Sequence, residues 1–152
     1  MEQNSWLNKI NDFKASQHSK VEYFIFNQDD FLTPDSEERI IIYTCNIDES
    51  DMTIFDFAIK CMYLEYKIDE GYMDKDHTWD KRKILYNPKE ISSQQFYKTY
   101  SSYKSGLLTQ PSIKINKSQI IIAYQLYEEW NSVFQIVQTK DKYYAFSWET
   151  TA

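Results

Sequence analysis

QIIIAYQLYEEWNSVFQIVQTKDKYYAFSWET, residues 119–150, is the stretch whose reading decides the architecture. It holds three runs rich in β-branched and aromatic residues, QIIIAYQLYE, SVFQIVQT and KYYAFSWET, parted by the short breaks EEWN and KD. Runs of that length with so little between them predict neighbouring antiparallel strands joined as a meander. In the last two runs Val133, Gln135 and Val137 alternate with Phe134, Ile136 and Gln138, and Tyr144, Phe146 and Trp148 alternate with Ala145, Ser147 and Glu149. A period of two places one set on each face of a strand. One face is therefore strongly aromatic, and it is expected to pack against a helix. A shorter run, SIKI, is expected to open this β region.

Upstream the periodicity changes. Ser5 can cap a helix carrying Trp6, Ile10 and Phe13 and running to about Ala15. KVEYFIF (20–26) and RIIIYTCNI (39–47) predict strands, with the polar stretch NQDDFLTPDSEE as the loop between them. Residues 51–67 are apolar almost throughout, but Thr53, Asp56, Lys60 and Lys67 fall on one helical stripe, so a largely buried helix is expected there. KRKILYN (81–87) suggests a short strand ending before Pro88. Ser92 and Gln95 form a capping-box pattern ahead of Phe96, Tyr100, Tyr103 and Leu107, which mark one face of a further helix that Gly106 can end. Helices and strands that segregate along the chain predict an α+β fold. Residues 1–152 are expected to form a single domain, an antiparallel sheet with a C-terminal three-strand meander, covered on one side by about three helices.

Composition removes several kinds of function. Among 152 residues only Gly71 and Gly106 are glycine, so the glycine-rich loops that cradle phosphates are absent and no cofactor is expected. No stretch nears the ~20 apolar residues of a membrane helix, and the opening Met-Glu-Gln-Asn-Ser does not resemble a secretory signal, so a cytoplasmic protein with no membrane partner is expected. Cys45 and Cys61 lie in apolar runs, as buried thiols do. Asp74, Asp76, Thr78 and Asp80 are spaced like the start of a calcium loop, but Trp79 stands where that loop needs glycine and Leu85 where it needs glutamate. With two histidines, His18 and His77, no metal site is expected, and nothing sets a nucleophile beside a base, so no catalytic residue is expected and the chain does not read as an enzyme.

Charge is the strongest signal. The net charge is −6, yet residues 27–80 hold fifteen acids against four bases, while residues 81–152 hold five acids against ten bases. Within the acidic part, DEGYMDKDHTWD (69–80) mixes carboxylates with large apolar side chains. Aromatic anchors ringed by charge suit a protein interface. The candidate partner-binding residues are Asp69, Glu70, Tyr72, Asp74, Asp76, Trp79 and Asp80. A negative face repels nucleic acid and attracts a basic protein. The expectation is an immunity-type inhibitor that binds and neutralises a basic toxin, of the nuclease kind. A phage-encoded DNA mimic acting on a host nuclease or defence protein, and a small-ligand module using the aromatic sheet face, are the alternatives.

Overall fold

A computed structural model describes residues 3–14, 20–50, 52–70 and 78–151. In chain order it contains α1 (Gln3–Asn11), β1 (Glu22–Asn27), β2 (Glu38–Asn46), α2 (Ile54–Asp69), α3 (Trp79–Lys83), β3 (Lys89–Ile91), α4 (Ser93–Lys104), β4 (Ile122–Glu129), β5 (Ser132–Gln138) and β6 (Lys142–Thr150). The strands form one antiparallel sheet in the order β1-β2-β6-β5-β4-β3. The fold is α+β, and its last three strands are the meander expected from residues 119–150.

α2 begins where its polar residues dictate. The Thr53 hydroxyl accepts from the Asp56 amide at 3.3 Å, and the Asp56 carboxylate accepts from the Thr53 amide at 2.9 Å, a reciprocal cap that satisfies two of the helix's orphan donors. Ser92 and Gln95 do the same for α4, at 3.0 and 2.8 Å. Lys9 of α1 then reaches Asp56 at 3.1 Å and ties the first two helices together.

Helices cover both faces of the sheet, where a cover on one side was expected. The reason lies in β2, whose buried run Ile40-Ile41-Ile42-Tyr43-Thr44-Cys45 has no polar alternation to turn toward water. Ile41, Tyr43, Phe134, Ile136 and Ala145 pack under α1 and α2 with Trp6, Phe57 and Met62. Ile40, Ile42, Val137, Phe146 and Trp148 pack on the opposite face under Phe96 and Tyr100 of α4. The aromatic face of β6 is thus core, with Tyr103 stacked on Trp148 at 4.1 Å and Tyr100 edge-on to Phe146 at 5.3 Å.

Two short segments depart from expectation. KRKILYN is not a strand: Thr78 accepts from the Lys81 amide at 3.2 Å and caps α3, which takes up Lys81, Arg82 and Lys83. SIKI is irregular backbone, held by the buried Ile115 and the partly buried Ile113 and followed by a 3₁₀ turn over Lys117–Gln119. The sixth strand, β3, comes instead from Lys89–Ile91. Among the described residues no helix is long and apolar enough to cross a membrane.

Candidate binding surfaces

The acidic 69–80 stretch is bracketed by fixed points. Asp69, the last residue of α2, is 5% exposed, and its two carboxylate oxygens accept from Arg39 at 2.7 Å and Arg82 at 2.8 Å. Arg82 also reaches Glu65 at 3.4 Å, Tyr43 donates its hydroxyl to Glu65 at 2.9 Å, and Arg39 pairs with Glu149, its cross-strand neighbour in the β2–β6 register. Three carboxylates and two guanidiniums so pair beneath the end of α2, although Arg39 Nε is buried there without a hydrogen-bond partner. Burial pushes the Glu65 carboxyl up despite Arg39 and Arg82, and pushes Glu149 up to about 7 despite Arg39. The cluster is a lock between α2, α3 and the sheet, and none of the grooves described below is lined by its members.

This placement changes the roles of two candidate residues. Asp69 was expected at a partner surface, but its carboxylate is buried, and each of its oxygens is already held by an arginine, so it faces inward. Trp79 is half-buried, with its ring 5.3 Å from Tyr63, 5.8 Å from Tyr66 and 6.1 Å from Phe13. It seats the start of α3 on the chain's own aromatics. Glu70 and Asp80 are exposed, each beside a lysine of its own helix region, Lys67 at 2.6 Å and Lys83 at 3.2 Å. Tyr72, Asp74 and Asp76 lie outside the described residues.

A second surface was not anticipated. The tip of the β4–β5 hairpin carries Trp130, 74% exposed, directly after the exposed Glu128 and Glu129. A groove of about 480 Å³ runs past Trp130, Glu129 and Tyr103, and another of about 360 Å³ runs past Glu129 and Leu85. Leu85 and its neighbour Ile84 are 55% and 75% exposed. Exposed apolar groups therefore occur beside acids at the hairpin tip, and again just after α3, where Leu85 shares a groove with Glu128, Glu129 and Lys89. EEWN reads in sequence as a turn and nothing more; the signal available was that a turn seldom needs a tryptophan.

On the α4 face a larger groove, about 560 Å³, opens between the helix and the β3–β5 edge, lined by Lys89, Lys98, Ser102, Tyr103, Gln125 and Gln135 among others. Gln135 is 2% exposed and donates to Gln125 at 3.0 Å. Burial raises Cys45 to about 11 and Cys61 well above its ordinary value, so neither thiol is poised as a nucleophile. Among the described residues no three histidine, cysteine or carboxylate side chains are grouped to hold a metal ion. Comparison of the chain with protein-family models, with characterised proteins and with solved structures finds no match.

Proposed function

We propose that this chain is an immunity-type inhibitor that binds and neutralises a basic toxin domain of the nuclease kind through an acidic, aromatic-anchored surface. The observation that carries the reading is the fate of the charges in residues 27–80. Arg39, one of only four bases there, is held inside by Asp69 and Glu149, while Asp29, Asp30, Asp35, Glu37, Asp48 and Glu49 are exposed. Burial withdraws two acids of the stretch, Glu65 and Asp69, along with that one base, and the exposed acids still leave its outward face strongly negative. Such a face speeds capture of a basic partner and occupies positions that substrate phosphates would otherwise take. In this reading the exposed Glu70 and Asp80 belong to it, Tyr72, Asp74 and Asp76 are further candidate contacts outside the described residues, Asp69 and Trp79 hold the flanking helices in place, and Trp130 is the apolar anchor.

The test is capture from a lysate of the source organism by wild type and by the combined Asp74→Lys, Asp76→Lys, Asp80→Lys variant, followed by assay of the captured protein with and without the chain. A basic protein that wild type captures and inactivates, and the variant does not, is the expected result. Equal capture by both removes the loop from the interface, and a captured protein whose activity is unaffected ends the inhibitor reading.

A second reading has one observation in its favour, the groove of about 560 Å³ beside α4, whose size falls in the range of small-molecule sites. Filling it with Ser102→Trp abolishes any thermal upshift that a ligand library produces in wild type, if this is a ligand module. A library that shifts neither protein counts against it.

A further inference from the structure

We infer that β1 is a docking edge, to which a basic partner adds a β-strand; the basic character of the occupant rests on the inhibitor reading above. Among the described residues β1 pairs with β2 alone and forms one end of the sheet. Six residues long, it carries neither lysine nor proline, the residues that usually blunt such an edge. Instead Tyr23, Phe24 and Ile25 are 44%, 37% and 38% exposed. Their cross-strand partners are Tyr43, Ile42 and Ile41, so the exposed apolar groups lie on both faces of the sheet. A strand added here would find backbone groups to pair with and apolar side chains to cover on either side.

The charge pattern selects the occupant. From Glu22 to Glu38 the chain has six acids and no lysine or arginine, and Glu22, Asp29, Asp30, Asp35 and Glu37 are exposed. A second copy of this chain is disfavoured, because joining β1 to β1 brings two such acidic segments together. A strand rich in lysine or arginine instead finds Glu22 at one end of β1 and the exposed Asp29 and Asp30 just beyond the other.

The experiment measures amide hydrogen exchange along β1 by NMR in the full chain. It uses three capped heptapeptide probes: alternating lysine and valine, the same peptide N-methylated at each valine, and alternating glutamate and valine. The expected result is at least tenfold slower exchange of the β1 amides not bonded to β2, with the first peptide only. Tyr23→Lys combined with Ile25→Lys, both exposed positions, should abolish the effect without loss of fold. No slowing with the first peptide, or equal slowing with the methylated or the glutamate peptide, overturns the inference. If a basic protein is captured yet leaves β1 exchange unchanged, strand addition fails and the inhibitor reading stands. Pairing of the lysine peptide without any captured basic protein keeps the edge site and removes the inhibitor reading.

Discussion

Arg82 reaches back thirteen residues to Asp69 and seventeen to Glu65 from inside the fold. Removing one member of a buried ion cluster leaves uncompensated charge in a poor dielectric, so Arg82→Met should cost about 3–5 kcal/mol in urea unfolding. Trp130→Ala should leave stability within about 0.5 kcal/mol, because its side chain is largely in water, yet weaken partner binding by ~2 kcal/mol, read by calorimetry. Glu149 gives the cluster a pH signature. Burial raises its carboxyl from 4.5 to about 7, so between those values the folded state keeps a proton that the unfolded state has lost. Stability from this group is complete below about pH 4.5 and is lost as pH rises toward 7. Unfolding midpoints over that window should therefore fall with rising pH, and Glu149→Gln should flatten the slope. Glu65 has the same sign, while Asp56, lowered overall by Thr53 and Lys9 against its burial, has the opposite one. In sequence Asp69 could not be told from Glu70: what separates them is Arg39, thirty residues upstream, and Arg82, both brought in by tertiary packing.

The cap of α4 was legible because it is local: Ser92 and Gln95 bond across three residues, and the spacing announces the helix start. The cap of α2 is as local but was not read, because Thr53 and Asp56 were counted as part of a helical stripe over 51–67, whereas Thr53 stands just outside the helix and closes it. Thr53→Ala and Ser92→Ala should each destabilise by about 1 kcal/mol in chemical denaturation. The meander was legible for a similar reason, since the breaks after β4 and β5 leave no room for anything but hairpins. Failure came where local preference and context conflict. Ile84, Leu85 and Tyr86 look strand-forming, but Thr78 caps ahead of them and Arg82 is drawn inward to Asp69, which winds residues 79–83 into α3. Lys89–Ile91 offers only three residues, and becomes a strand because β4 is there to pair with it. That β2 needs two covers was missed, although its unbroken apolar run carries the signal, and the sequence does not say which helix lies on which side.

For the molecule as a whole, uneven charge matters more than its total. If the exposed acids steer association, the on-rate for a basic partner should fall by roughly tenfold or more as salt shortens the Debye length from about 10 Å to about 3 Å. Stopped-flow mixing over a salt series measures this, and a flat rate would leave the acids as mere solubilisers. The sheet order β1-β2-β6-β5-β4-β3 has another consequence. The strand in contact with both halves is β6, which a ribosome makes after the other five. Until it emerges, β2 has no neighbour on its inner side and β5 lacks one of its two partners. Before then no native pairing can join β1 and β2 to β3, β4 and β5. One late strand supplies both pairings that unite the sheet, so the two halves of the fold can be joined only after the last of its strands is made.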